Sequence, residues 1–390
     1  MNFYKHLQSE LDLIKIDNLY RDFRIFSSKP GACVEYNGKK ILQMSSNNYL
    51  GLACDERLIQ AVIRAAEKYG IGSTGSRLLS GTHKLHTELE EKLSELKETE
   101  KAIVFSTGYA ANLGAISAFF NEKDAVYSDE LNHAGIIDGI KLSRANKFIY
   151  KHCDVNDLES LLEENHKKFR FNVIITDSIF SMDGDRAPLK QIIDLKEKYN
   201  ALIYLDEAHA FGIYGEKGQG LAHELNLNDK IDIHMGTLSK AAGSEGGYIA
   251  GKAELIDYLR NKSRSFIFST APSIPVTAAS IKAVEVIRDD FGLRKKLHEN
   301  IKYFKQGLSR LNLDVIPSES AIFCLKLDNI QKAVDISNEL LEKHSIMASC
   351  IRPPTVKTPR IRLCVSALHT KQDLDYVLEK LAITILSRLL

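Results

Sequence analysis

In Gly236-Thr237-Leu238-Ser239-Lys240, a lysine follows the short apolar run 231–235 and precedes Ala241-Ala242-Gly243. Small neighbours leave room for a bulky group on its amine, and Thr237 and Ser239 can aim hydroxyls at an adjacent anion. Asp206 closes another apolar run, 202–205, which places a carboxylate at the carboxyl end of a strand, and His209 comes three residues later. Ser106-Thr107-Gly108-Tyr109-Ala110-Ala111-Asn112 follows the run 102–105. It should open a helix, whose N–H groups and positive end suit a phosphate. His133, after Asp129-Glu130-Leu131-Asn132, offers a flat ring. Alone, each has a plainer reading: a solvated loop lysine, a helix N-cap, a strand-to-helix turn, a surface histidine. Together they complement one another. An amine for an aldehyde, a carboxylate for a pyridine nitrogen, donors for a phosphate and a cover for a ring are what pyridoxal 5'-phosphate (PLP) asks of a protein.

Two other motifs point elsewhere and fail on context. Gly70-Ile71-Gly72-Ser73-Thr74-Gly75 fits GxGxxG, but a dinucleotide site needs a strand before it, and residues 58–69 have helical spacing. Asp206-Glu207-Ala208-His209 spells the DEAH of a helicase family, yet no GK in the chain is followed by Ser or Thr, as a phosphate loop requires. A net charge of +1 provides no field for nucleic acid or anionic membrane. His83 and His86 fit a polar helix start better than a metal site, and no metal is assigned. The six cysteines form no CxxC pair and read as reduced thiols of a cytoplasmic protein. The opening MNFYKHLQSELDLIK lacks an apolar signal core, and no run approaches a membrane span.

The elements that must position these groups follow from periodicity. Phe3, Leu7, Leu11, Ile14 and Leu19 predict an N-terminal helix, and Asn37-Gly38 a hairpin between 32–36 and 40–44. From about residue 56, helices alternate with short apolar strands at 102–105, 125–127, 173–176, 202–205, 231–235 and 248–251. The helix-patterned stretch 189–199 between two of them makes a βαβ unit, which implies an α/β fold around a mostly parallel sheet. A helix bearing Leu293, Leu297, Ile301, Phe304 and Leu308, strands at 322–327 and 361–365, and a helix from about Lys371 predict a smaller C-terminal α+β domain. The expected division is 1–45 for the N-terminal helix and hairpin, 46–285 for the large PLP-binding domain and 286–390 for the small one.

Across nearly the whole chain, from Ser46-Asn47-Asn48-Tyr49-Leu50-Gly51-Leu52 to Ser366-Ala367-Leu368-His369-Thr370, the sequence resembles the α-oxoamine synthases, PLP enzymes of fold type I. The matches are FSTGYAAN at 105–112, SMDGDRAPL at 181–189, DEAHAFGIYGEKGQG at 206–220 and GTLSKAAGSEGGYIAG at 236–251. The resemblance implies that Lys240 forms a Schiff base with the cofactor and shuttles the substrate's α-proton. By the same likeness Asp206 pairs with the ring nitrogen, His209 and Ser181 bond the phenolic oxygen, and His133 stacks on the ring. The Gly108-Tyr109 backbone and Thr237 would hold the phosphate, with Thr270 reaching it across the interface of a homodimer. Asn47 and Arg362 would hold the amino acid's carboxylate, and Arg21 and Thr355 fall where substrate is contacted.

Within the family, Gly75-Ser76-Arg77, the stretch 266–270 and Ile351-Arg352-Pro353-Pro354-Thr355-Val356 are most like the biotin-pathway member. That likeness implies condensation of L-alanine with a pimeloyl thioester, on CoA or acyl carrier protein, with loss of CO2. Lys357 stands where a proline usually follows this run, and the next loop is shortened. The alternatives are the same chemistry with glycine and acetyl-CoA, a non-catalytic PLP-binding regulator on the same fold, and a nucleotide-dependent binding protein.

Overall fold

Strands that are apolar on both faces need cover on both faces. The computed structural model of the protein, which describes residues 2–386, shows how the chain supplies it. The chain divides into two units. One comprises Leu50–Ser181 and Asp185–Lys295; the other gathers Met1–Tyr49, Met182–Gly184 and Lys296–Leu390. The expected segment 1–45 therefore falls in the same unit as most of the expected small domain.

In chain order the second unit opens with a helix, Phe3–Ile16, capped by Asn2, whose side chain accepts the Tyr4 N–H at 3.0 Å. It ends at Ile16 with Asp17 as its cap, and Asn18 follows at φ 57°, so Leu19, which the spacing includes, lies beyond the helix. None of its residues is buried, and Phe3, Leu7, Leu11 and Ile14 stand exposed. The hairpin follows as β1 (Cys33–Tyr36) and β2 (Lys39–Gln43), turning at Asn37-Gly38 where both residues take positive φ.

The large unit is built on seven strands: β3 (Lys101–Phe105), β4 (Ala125–Asp129), β5 (Asn146–Tyr150), β6 (Asn172–Asp177), β7 (Leu202–Asp206), β8 (Ile233–Thr237) and β9 (Gly247–Gly251). Their order is β3-β9-β8-β7-β6-β4-β5, and β9 alone runs antiparallel to its neighbours. The crossover helix Leu189–Tyr199 between β6 and β7 buries Leu189, Ile192, Ile193 and Leu195, as its pattern predicts. The β8 strand begins two residues later than expected and ends on Thr237.

The rest of the second unit adds β10 (Ile322–Lys326), β11 (Ile346–Met347), β12 (Ser349–Ile351) and β13 (Arg360–Cys364). β11 extends the hairpin by pairing parallel to β2, and β10, β13 and β12 form a separate antiparallel sheet. Among the described residues no helix is long and apolar enough to cross a membrane.

Candidate active site

The strand ends of the large unit converge on one cavity of about 210 Å³, and its lining includes Lys240, Asp206, His209, His133, Gly108, Tyr109 and Thr237. Parallel strands bring their carboxyl ends to one edge of the sheet, which is where such folds bind ligands. The loop bearing Lys240 leaves β8 through Gly236 and Thr237. A side chain at Gly236 would fall 2.4 Å from the Tyr248 ring on β9, so only glycine passes there. The Thr237 hydroxyl donates to the Gly246 carbonyl at 2.8 Å and lies 2.9 Å from Ser239 Oγ. This hydroxyl pair faces the cavity from the lysine's own loop.

Asp206 is buried at the end of β7, and both of its oxygens are engaged. One accepts the Ala208 N–H at 2.9 Å, the turn bond that a capping role would also make. The other accepts from Asn112 Nδ2 at 2.7 Å, and Asn112 Oδ1 in turn accepts the Tyr204 hydroxyl at 2.7 Å. The carboxylate only accepts, so it draws the Asn112 N–H2 toward itself and leaves Oδ1 to take the Tyr204 proton.

Asn112 sits on the helix Gly108–Phe119, whose start faces the cavity. Thr107 caps this helix by accepting the Ala110 N–H at 3.0 Å. The Gly108 and Tyr109 N–H groups begin the helix without intrahelical acceptors. A side chain at Gly108 would lie 3.2 Å from Thr237 Oγ1, so its absence keeps open the space between two phosphate-donor candidates. The Tyr109 hydroxyl donates to Asp138 at 2.7 Å, outside the cavity lining.

His133 is an N-cap, with Nδ1 accepting the Gly135 N–H at 3.1 Å, and its backbone N–H donates to Asp177 at 2.8 Å. Burial holds its pKa below the usual histidine range; Asp206 opposes that shift and Lys240 adds to it. The ring is thus neutral, with its proton on Nε2, and presents a flat uncharged face. Asp177 ends β6 beside Asp206, its partner across the sheet. Burial, then the charge of Asp206, pushes the Asp177 carboxyl well above the ordinary range.

The sequence assigned no role to Asn112, Tyr204 or Asp177. Asp177 closes an apolar run as Asp206 does, and that shared position was the available signal. Ser181 and Thr270 lie outside the cavity lining. Thr270 instead bridges to Ser76 in an antiparallel pair. Behind the site, Glu207 is fully buried, 2.5 Å from the Lys97 ammonium. The glutamate of DEAH is therefore structural, while Asp206 and His209 line the cavity. His83 and His86 form a capping box at the helix Lys84–Lys97, as a polar helix start should. The helix Glu56–Tyr69 directly precedes the GxGxxG run, which removes the dinucleotide reading.

The remaining expected residues lie in the other unit, in two pairs. Arg362 on β13 is buried and donates to Asn47 Oδ1 at 3.0 Å and to Cys364 Sγ at 2.9 Å. Arg21 donates to the Pro353 carbonyl at 3.1 Å, while Arg352 donates to the Tyr20 carbonyl at 2.6 Å. Thr355 belongs to that loop, its N–H donating to Arg352 O at 3.1 Å.

The large unit's cavity fits PLP by the chemistry of its donors: an amine, a fixed carboxylate, a flat neutral ring and a glycine-led helix start facing hydroxyls. Comparison with known proteins agrees. The family model for aminotransferase class I and II matches residues 39–381, and the chain belongs to that family. More particularly, it is similar to the 8-amino-7-oxononanoate synthase of Thermosipho melanesiensis, 46% identical over 97% of this chain and 96% of the relative. The enzyme of that name from Petrotoga mobilis is 45% identical over 97% of each. Among solved structures, a serine palmitoyltransferase from S. paucimobilis with bound PLP–myriocin aldimine superposes with a TM-score of 0.93, at 28% identity over 98% of each chain. The resemblance to α-oxoamine synthases and the fold it implied are both borne out.

Proposed function

We infer that this chain is a PLP-dependent acyltransferase. It condenses L-alanine with a pimeloyl thioester to give 8-amino-7-oxononanoate, CO2 and the free thiol in biotin biosynthesis. One observation carries the reading: a cavity joining Lys240, Asp206 and His133, in a chain similar to named synthases along 97% of its length.

Bound in the cavity, PLP supplies a sink for the electron pair left at the amino acid's α-carbon. Lys240 holds the cofactor's aldehyde carbon. With the amino acid bound, Nζ would remove the proton from Cα, the freed electron pair would join Cα to the donor's acyl carbon as the thiol leaves, and Nζ would return a proton to Cα after the carboxylate has left as CO2. Asp206, oriented by Asn112, keeps a proton on the ring nitrogen. His133 covers the ring, and His209 and Ser181 bond the phenolic oxygen. The Gly108 and Tyr109 N–H groups and the Thr237 hydroxyl hold the phosphate, which competes with Gly246 O for that hydroxyl. Arg362 and Asn47 bind the amino acid's carboxylate, and Arg21 and Thr355 contact the acyl donor.

The working form is a homodimer. Two observations support Thr270 serving the other subunit's phosphate: it does not line its own chain's cavity, and Phe268 nearby is 71% exposed. The exposed apolar side of the helix Phe3–Ile16 also suits a second copy. The donor's carrier is CoA or acyl carrier protein. The six free thiols suit the reducing cytoplasm.

A substrate competition tests the reading. L-Alanine with pimeloyl thioester should be turned over far better than glycine with acetyl-CoA. Alanine over glycine at a fixed donor should be a smaller preference, because one methyl group is worth about 1–3 kcal/mol. If glycine with acetyl-CoA wins, the substrate assignment is wrong while the Lys240 chemistry stands. Borohydride reduction and peptide mapping should place the phosphopyridoxyl group on Lys240, and light scattering should give a dimer.

A further inference from the structure

The second unit holds a groove of about 500 Å³ beside β2 and β11, with Phe26, Val34 and Met347 among its apolar walls. Three of its serines are already occupied. Ser28 Oγ accepts the Glu35 N–H at 2.8 Å, Ser45 Oγ donates to Met347 O at 3.0 Å, and Ser46 Oγ accepts the Asn48 N–H at 3.1 Å. Gln43 and Ser349 add neutral polar groups, and Arg24 is the one charged residue of the lining. Its guanidinium donates to Met347 Sδ at 2.9 Å, and a thioether is a weak acceptor. Among the described residues Arg24 has no carboxylate partner. A partly buried cation satisfied only by sulfur, beside an apolar trough, matches a ligand with methylenes and a terminal anion.

The groove also begins where the substrate should be. Ser46, on its lining, immediately precedes Asn47, whose amide oxygen accepts from Arg362 at 3.0 Å. Arg21, the arginine that the sequence placed near substrate, does not line the groove and is tied to the Pro353 carbonyl.

We propose that this groove seats the aliphatic chain of the acyl donor and that Arg24 binds the carboxylate at its far end. The assignment rests on the pimeloyl reading above and names the residue that would recognise the donor's free acid. The apolar walls take the methylenes, and the guanidinium fork pairs with both oxygens of the terminal carboxylate. A donor of the same length ending in a neutral ester would fill the trough and leave the fork without its anion.

Steady-state kinetics at saturating L-alanine would compare pimeloyl thioester with its terminal methyl ester, in the wild type, Arg24→Gln and Arg24→Lys holoenzymes. The wild type should prefer the free acid. Arg24→Gln should shrink that preference roughly 10- to 100-fold, the scale of hydrogen bonds to a charged group. Arg24→Lys should keep part of it, retaining charge but losing the fork. The KM for L-alanine should not move. Free pimelate, titrated calorimetrically into the same holoenzymes, should bind the wild type and lose affinity in Arg24→Gln. A wild type that prefers the free acid and an Arg24→Gln that keeps the full preference would put the carboxylate seat elsewhere and leave the reaction intact. A wild type indifferent to the terminal carboxylate would remove the pimeloyl reading itself.

Discussion

Asp206 shows how much a single carboxylate depends on residues that never touch the chemistry. One of its oxygens is spent on a turn and the other on Asn112, whose own oxygen accepts from Tyr204. Asp206→Asn keeps the shape but removes the negative charge and the acceptor that faces Asn112. Turnover should fall by roughly 10²- to 10³-fold, as when a preorganised electrostatic partner is lost. Asn112→Leu should cost less, because the charge remains and only its aim is loosened. Steady-state kcat together with the pH dependence of the cofactor's absorbance would separate the two, and near-normal turnover in Asp206→Asn would mean another residue serves the ring nitrogen. Lys240 and Asp206 were legible in the sequence because each follows an apolar run and carries its chemistry in its own side chain. Asn112 was not, although its motif was in view. It acts through Asp206, 94 residues away, and spacing along the chain holds no trace of such a bond.

Between elements, the buried Lys97–Glu207 pair joins the end of the helix Lys84–Lys97 to the turn after β7. Lys97 also donates to Gln219 O at 2.7 Å, and Glu207 accepts the Ala222 N–H at 3.0 Å. Burial alone would raise the Glu207 pKa, but Lys97 and His234 hold it well below the ordinary carboxylate range. Glu207→Gln leaves an ammonium in the interior without its anion and should destabilise the fold by about 3–5 kcal/mol, read as a lower denaturation midpoint. A midpoint within experimental error of wild type would show that the pair contributes little. The same scale explains what the strand pattern missed. β5 reads Asn-Lys-Phe-Ile-Tyr and lies at the sheet edge with several side chains in solvent, so it lacks the apolar run that revealed its neighbours. Ile231 precedes β8 although it continues the apolar pattern, while Gly236 and Thr237 belong to the strand without looking like it.

At the scale of the whole molecule, two histidines set opposite limits on stability. Burial, aided by the charge of Lys97, lowers the His223 pKa from 6.5 to about 3. The unfolded chain then binds more protons between those values, so this contribution is lost as pH falls through that window. For His152, burial disfavours the charge, yet hydrogen bonds with Asp129 and Asp185 raise its pKa from 6.5 to about 12. Here the folded chain binds more protons. The stabilisation is complete below 6.5 and is lost as pH rises toward 12. Denaturant titrations across pH should therefore show stability declining on both sides, and His152→Asn should flatten the alkaline limb alone. An unchanged alkaline limb in that variant would rule out the doubly bonded imidazolium. The threading of the second unit bears on how the protein is made. Its β2 strand pairs with β11, so Leu42 lies opposite Ile346, and the entire large unit is translated between them. At about 5–20 residues per second, a ribosome delivers that partner only tens of seconds later. The sheet of the large unit can close while the first segment still trails uncovered, with Val34, Ile41 and Leu42 open to any chaperone or protease that meets the nascent chain.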